Sequence, residues 1–376
     1  MFEELRNRKI VVDLSGGVDS AVAALLLKDA GADVEALHMT NWEDDDGYCE
    51  AARDLQDARH VCERLGIVLH HVNFTKQYRE RVFAHFLDEY RAGRTPNPDV
   101  LCNREIKFGV FRDYAKRLGG EWLATGHYAR TAFVDGEPVL LKAADRNKDQ
   151  SYFLHAVGAG ALRETVFPLA EMMKADVRSI ARDRGLDVYD KKDSTGICFI
   201  GERPFREFLS SYLPAQPGPM LTPDGQHLGE HLGLMYYTVG QRQGLGIGGR
   251  HDAADAPWYV VGKDIDHNAL IVDQGDSPLL FSPALVALEP DWIGCPPAGL
   301  ADGSRLAAKV RYRQADQACT VTAIDDVLDV RFDAPQRAVA PGQYIVFYDG
   351  ERCLGGAVIE RPIHAAAESV RAAVSI

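Results

Sequence analysis

The chain has 376 residues, 46% hydrophobic and 26% charged, an ordinary globular balance that excludes a disordered, collagenous or low-complexity protein. No apolar run approaches the roughly 18 residues of a membrane-spanning helix, and the acid-bearing start MFEELRNRKI lacks the apolar core of a signal peptide. With 42 basic against 55 acidic residues, a net of −13, the composition argues against a nonspecific nucleic-acid coat but leaves room for a local basic site.

The first 125 residues alternate apolar runs with helical patterns. Lys9–Leu14 (KIVVDL) reads as a buried strand, and a helix follows from Asp19 to Ala30, closed by Gly31. Val34–Met39 is a second strand. Ala51, Leu55, Ala58, Cys62 and Leu65 fall at helical spacing before Gly66, and Ile67–Val72 is a third strand. Two further helical patterns, around Val82–Tyr90 and Ile106–Leu118, precede a fourth strand, Glu121–Thr125. This alternation predicts an α/β fold, a doubly wound parallel sheet. Asp135–Gly136 between two β-rich stretches predicts a tight hairpin, and Lys174–Leu186 a helix. Pro214, Pro217 and Pro219 should stop regular structure, so a boundary is placed there, with a second near Ser277–Pro283. The expected division is a doubly wound domain over 1–213, a small β-rich central domain over 214–280, a C-terminal β-barrel over 281–363 and a tail over 364–376. In the last part, strand-like runs lie at Ser304–Arg313, Ala318–Ile324, Leu328–Phe332 and Gln343–Tyr348.

The seven cysteines are Cys49, Cys62, Cys102, Cys198, Cys295, Cys319 and Cys353. They are odd in number, scattered and without a CxxC. That pattern suits reduced thiols in the cytoplasm rather than a disulfide framework, and no histidines stand at zinc-ligand spacing to them. Cys62 lies on an apolar helical stripe and Cys295, Cys319 and Cys353 in β-rich segments, so these read as packing.

Ser15-Gly16-Gly17-Val18-Asp19-Ser20 stands between the first strand and the first helix. Glycines there let the backbone approach an anion, and free N–H groups with the helix dipole attract it. Ser15 and Ser20 add hydroxyls, and Asp19 offers an oxygen to the Mg²⁺ that accompanies a triphosphate. The loop lacks the GK[ST] ending, and hence the lysine, of a Walker A motif. A plain connecting turn is the alternative.

That string resembles the PP-loop of ATP pyrophosphatases, which split ATP between the α and β phosphates and adenylate a substrate. Further strings do likewise: GRTPNPD (93–99), LCN (101–103), IKF (106–108), TGHY (125–128), KDQSYFL (148–154), GICFIGE (196–202), GQR (240–242) and RYR (311–313). Together they resemble the tRNA-specific 2-thiouridylase (MnmA) family over nearly the whole chain. The resemblance implies a Rossmann-like PP-loop domain and ATP bound by Asp13, Leu14, Ser15, Gly16, Gly17, Val18, Asp19, Ser20, Met39 and Gly126. It implies a Cys198 persulfide with Cys102 as its partner, and Asp99 at the uracil ring. It also implies tRNA contacts at Asn97, Pro98, Asp99, His127, Lys148, Asp149, Gln150, Arg311, Tyr312 and Gln343. The activity implied is ATP-dependent 2-thiolation of the wobble uridine, with sulfur from a cysteine desulfurase or a relay of carriers.

The residues suit that chemistry. The uracil O2 is a poor leaving group until adenylated, and two thiols can deliver a sulfur and free it by forming a disulfide. Prolines make the Asn97-Pro98-Asp99 loop rigid enough to present Asp99 as a general acid or base, although an Asx turn opening a helix would use the same residues. His127 stands either on RNA or as a satisfied structural histidine, and Met39 at the adenine or in the core. Arg305, Lys309, Arg311 and Arg313 share a parity within one apparent strand, which predicts a basic face for an RNA backbone or simply a solvated one. One position departs from the family: Asp13 stands where a small residue is usual. Other PP-loop adenylating enzymes, such as a lysidine or 4-thiouridine synthetase, do not account for GICFIGE and NPD together. A non-catalytic tRNA-binding protein would have no use for an intact SGGVDS.

Overall fold

In the computed structural model, residues 2–43, 51–193, 200, 203–248 and 256–364 are described. Ile10, Val11 and Val12 form a run without alternation, and a strand with both faces covered needs just that. They lie fully buried in β1 (Lys9–Asp13). Parallel neighbours flank it: β2 (Asp33–Thr40) and then β3 (Val68–Asn73) on one side, β4 (Trp122–Ala124) on the other. Strand order therefore reverses between β1 and β4, and a crevice opens there beyond the carboxyl ends of the strands.

Helix α1 (Val18–Asp29) covers this sheet and stops where Gly31 takes a φ of 84°. Helix α2 (Ala51–Leu65) buries Ala58, Val61, Cys62 and Leu65, one stripe at helical spacing, and burial pushes the Cys62 thiol up to about 12. Two longer helical segments, 75–91 and 98–117, each contain a π-wound stretch, at Arg79–Phe83 and Cys102–Phe111, and the second is kinked at Gly109, whose φ of −103° and ψ of −108° are not helical. A 3.6-residue reading of the sequence shows the helices but not the widened turns. The hairpin β5 (Arg130–Val134) and β6 (Glu137–Leu141) turns on Asp135 and Gly136, both at positive φ as a tight Asp-Gly turn requires. The short β7 (Thr165–Val166) completes the parallel sheet, in the order β3-β2-β1-β4-β7.

The central sheet contains β8 (Gly218–Leu221), β9 (His227–His231), β10 (Trp258–Asp264) and β11 (Ala269–Gln274), ordered β10-β11-β8-β9. Its first strand begins inside the proline-dense stretch expected to be irregular. Pro219 is tolerated because pairing of β8 with β11 starts only at Met220.

Six antiparallel strands close the C-terminal barrel: β12 (Phe281–Trp292), β13 (Ser304–Lys309), β14 (Gln317–Ile324), β15 (Val327–Arg337), β16 (Tyr344–Asp349) and β17 (Arg352–Ile363). The order is β12-β15-β14-β13-β16-β17, and pairing of β12 with β17 shuts it around Leu285, Val330, Ile345 and Phe347. Strand β17 also pairs with β6, so the hairpin of the first domain extends the barrel's sheet. One apolar core runs across this seam, from Phe86 through Tyr152 to Tyr348 and Cys353. Cys319 and Cys353 are packed as expected, but Cys295 is exposed beyond the end of β12.

Candidate active site

The loop after β1 is built from its own hydroxyls. Ser15 N–H donates to Ser20 Oγ at 3.2 Å, the two hydroxyls lie 3.1 Å apart, and Ser20 Oγ donates to Gly17 O at 3.1 Å. Gly16 has a φ of 82°, and a Cβ there would stand 2.3 Å from Asp54 O, so only glycine fits. Gly17 is the N-cap of α1 without a side-chain cap, so the first-turn N–H groups face outward for an anion. Val18 and Leu14 are buried behind the loop, with Leu14 N bonded to Leu37 O and His38 Nδ1 donating to Leu14 O at 2.7 Å. Met39, partly buried at the end of β2, packs on the main core.

The two loop carboxylates differ. Asp19 has both oxygens 2.7 Å from Lys174 Nζ and accepts the Tyr128 hydroxyl at 2.9 Å. Both of its oxygens thus face the Lys174 ammonium. Asp13 points inward, 4% exposed; its Oδ2 lies 3.6 Å from Lys107 Nζ and its Oδ1 has no hydrogen-bond partner. Gly126, at the end of β4, fits against α1: a Cβ would lie 2.6 Å from Ser20 N.

Across the crevice stands the 98–117 helix. Asn97 Oδ1 accepts Asp99 N–H and Pro98 occupies the first helical position, so the Asx-turn reading of Asn97 is what the structure contains. Asp99 and Cys102 are three positions apart and share a face of that helix. Cys102 is buried, whereas Asp99 is open to water although protein surrounds it on most sides, the setting of a carboxyl in a concavity. Desolvation raises its pKa, and the Lys107 ammonium works the other way. Lys107 therefore faces both Asp13 at the loop and Asp99 on the helix. It belongs to the IKF string, but no sequence argument singled it out as a site residue.

His127 lies inside, 7% exposed, with Nδ1 2.8 Å from Thr125 Oγ1 and its ring against Phe108 and Phe167. Burial, aided by Lys107, keeps it well below the usual imidazole range and hence neutral. The structure thus gives the satisfied-histidine alternative. In the KDQ string, Asp149 is buried and accepts Ala143 N–H, Ser151 N–H and Ser151 Oγ–H, while Gln150 Oε1 accepts Tyr128 N–H. Asp149 ties its loop to Ala143, and Gln150 ties it to the TGHY turn at Tyr128. Lys148 is half-exposed, with Nζ 2.7 Å from Asp193 Oδ2. Asp193 also receives Lys174 at 2.9 Å and Arg178 at 2.7 Å. Lys191 donates to Gly16 O at 3.1 Å and pairs with Asp54 and Asp57. The lysine missing from the loop's own string was the one sequence signal that cations must come from elsewhere, and Lys174 and Lys191 supply them.

The basic residues expected on one strand face over 304–313 do not share one: Arg305, Arg311 and Arg313 are exposed, while Lys309 is not. Strand β13 ends at Lys309, because the chain bends at Val310 and turns through Arg313. Arg305 is paired with Asp333, and Lys309 is largely buried near Asp149 and Asp316. Arg311 donates to Ala338 O at 2.7 Å, while Tyr312 packs on Phe153 with its hydroxyl 3.3 Å from Lys148 O. Gln343 Nε2 donates to Thr95 O at 2.7 Å, so this barrel residue braces the loop before Asn97. Cys198 and Cys49 lie outside the described residues.

Residues 8–202 match the family described as tRNA methyl transferase HUP domain, 206–274 the tRNA methyl transferase PRC-barrel domain and 282–359 the aminomethyltransferase beta-barrel domain. A relative from Pseudomonas fluorescens (strain Pf0-1) is 59% identical over 357 residues, 94% of this chain and 95% of its own. Another from Hahella chejuensis (strain KCTC 2396) is 58% identical over 358 residues, 94% and 98%. Both carry the name tRNA-specific 2-thiouridylase MnmA. Among solved structures, the U34-tRNA thiolase NcsA from Methanococcus maripaludis matches with a TM-score of 0.35 and 20% identity, over 55% of this chain and 64% of that one.

Proposed function

The chain belongs to the tRNA-specific 2-thiouridylase (MnmA) family, the tRNA sulfurtransferases, and from that premise we propose that it binds ATP on the 15–20 loop and 2-thiolates the wobble uridine of tRNA. The observation that carries this reading is Lys107. It stands 3.6 Å from Asp13 at the nucleotide loop, lies on the same helical segment as Asp99 and Cys102, and its charge works against the rise of the Asp99 pKa.

The uncapped first turn of α1 and Gly17 suit phosphate oxygens. Mg²⁺ would arrive with the triphosphate, and the carboxylates beside the loop that would hold it are Asp13, whose Oδ1 has no partner, and Asp19 once Lys174 turns to the phosphates. The ion supplies charge neutralisation on the phosphates. The uridine O2 attacks the α-phosphorus; its bond to the β-phosphate oxygen breaks and pyrophosphate leaves with that electron pair. Lys107 and the loop N–H groups face the growing negative charge. The terminal sulfur of a Cys198 persulfide then bonds to C2, and the C2–O bond breaks to release AMP. The Cys102 thiolate takes Cys198 Sγ into a disulfide, leaving the sulfur on the base, and an external thiol reductant restores both cysteines. Asp99, with its raised pKa, can accept or return a proton at the ring. Lys148 and Tyr312 border the RNA side, and a cysteine desulfurase or sulfur carrier reloads Cys198.

Cys198→Ser should abolish 2-thiouridine, read by mass spectrometry of tRNA nucleosides. It should keep part of the tRNA-dependent release of AMP and pyrophosphate. Full thiolation by that variant would refute the role of Cys198, and no tRNA-stimulated release by the natural protein would refute the adenylation.

A further inference from the structure

Three cations converge on one carboxylate between the nucleotide loop and the RNA side. Asp193 Oδ2 is 2.7 Å from Lys148 Nζ, and Oδ1 is 2.9 Å from Lys174 Nζ and 2.7 Å from Arg178. Burial alone would push the Asp193 pKa up, but the bonds to Lys148 and Lys174 outweigh it and hold it at about 2, so it stays ionised at neutral pH. Lys174 is at once bound to both oxygens of Asp19, which opens α1. A chain of alternating charge thus runs Asp19, Lys174, Asp193, Lys148, from the nucleotide loop to the KDQ loop. Arg178 is anchored separately, donating to Tyr189 O at 2.8 Å and Lys191 O at 3.1 Å, so it keeps Asp193 in place if either lysine turns away.

We propose that Lys148, Lys174 and Arg178 form an anion site whose resident carboxylate, Asp193, stands in for substrate phosphate and couples triphosphate binding at Lys174 to RNA-phosphate binding at Lys148. This rests on the functional reading above. A triphosphate beside Asp19 competes with Asp193 for Lys174, and an RNA phosphate competes with it for Lys148. Each ligand that draws one lysine away leaves Asp193, still held by Arg178, with one cation fewer, so it holds the other lysine more strongly and the second ligand meets more competition. The coupling is reciprocal by thermodynamic linkage. Its sign is negative, because Asp193 stays in place and keeps its full charge for the lysine that is left.

The test measures equilibrium affinities of the full chain for α,β-methylene ATP, which cannot be cleaved at the reacting bond, and for an unmodified tRNA transcript. Each is measured alone and with the other saturating. The natural protein should show roughly fivefold or greater mutual weakening. Asp193→Asn should bind each ligand more tightly alone, with the coupling factor near one, while Asp193→Glu keeps the coupling. Lys148→Met is a second variant: saturating tRNA should no longer change its affinity for the nucleotide analogue. Unchanged coupling in Asp193→Asn, or weaker binding of each ligand alone, overturns the proposal. Independent binding of both ligands by the natural protein overturns it and leaves the functional reading standing. Binding of neither overturns the functional reading and, with it, this inference.

Discussion

A carboxyl group that protein surrounds but water still reaches is poised differently from a core or a surface acid, and Asp99 is in that position. Its pKa is raised by desolvation, with Lys107 limiting the rise. Replacing Lys107 by Met removes the opposing charge, so the Asp99 pKa should climb further. If Asp99 acts as the base, activity is lost as pH falls through that value, and the acidic limb of the kcat/KM profile moves to higher pH in Lys107→Met. An unmoved limb would separate the two residues functionally. Asp99→Asn should lower the thiolation rate by roughly 100-fold or more, as loss of a general acid–base group does, with the KM for ATP little changed. The IKF string placed Lys107 on a helix, but its neighbours Asp13 and Asp99 come from a strand end and a different turn, so its role was legible only in three dimensions.

Elements here are held by close approaches that single atoms would spoil. Gly126 ends β4 against the first turn of α1; a Cβ there would lie 2.6 Å from Ser20 N and 2.8 Å from the Asp19 carbonyl carbon. Both contacts are backbone, so they cannot swing aside. Gly126→Ala should push the start of α1 and weaken nucleotide binding by about tenfold or more, roughly 1.4 kcal/mol, with unchanged circular dichroism. Binding equal to that of the natural protein would place the glycine's importance elsewhere. The elements themselves followed from pattern: the unalternating IVV run, the Gly31 and Gly66 helix stops and the Asp-Gly turn all lie where local chemistry puts them. The end of β13 did not, because alternation of charge continues through 311–313 after the backbone has bent away.

On the scale of the molecule, the 93–97 loop is where all three parts meet. Thr95 N–H bonds to Pro341 O, Gln343 braces Thr95 O, and Lys263 Nζ donates to Gly93 O at 2.8 Å from the central sheet. Gly342→Val would place a side chain where even a Cβ comes within 2.9 Å of Arg94 Cβ and 3.0 Å of Thr95 N, at strained φ. It should depress thiolation from a site far from the chemistry, and unchanged rates would show that the barrel does not position the loop. The seam also sets acid stability. His155 is buried between the 151–154 helix and the barrel, with its pKa lowered to about 4 by burial from the usual 6.5. The unfolded chain then binds the extra proton first, so this contribution is complete above about pH 6.5 and is lost as pH falls towards 4. It amounts to about 3 kcal/mol at most. Denaturant titrations at pH 7.5 and 4.5 should show a smaller loss in His155→Gln than in the natural chain; an equal loss would assign the acid sensitivity to other groups.

The parallel sheet, the glycine loop after β1 and the strings that mark the family were legible in the linear chain, because each depends on residues within a turn or two of one another. Which charges meet becomes visible only in the folded molecule. Asp19 and Lys174 are 155 positions apart, and Lys148 and Asp193 are 45 apart. No periodicity encodes such pairs, since they form only when separate elements fold onto one crevice and burial makes every unmatched charge expensive. The same holds for His127 and Lys309: their chemistry was plain in the string, but whether they faced outward or the protein's own interior was set by the packing around them.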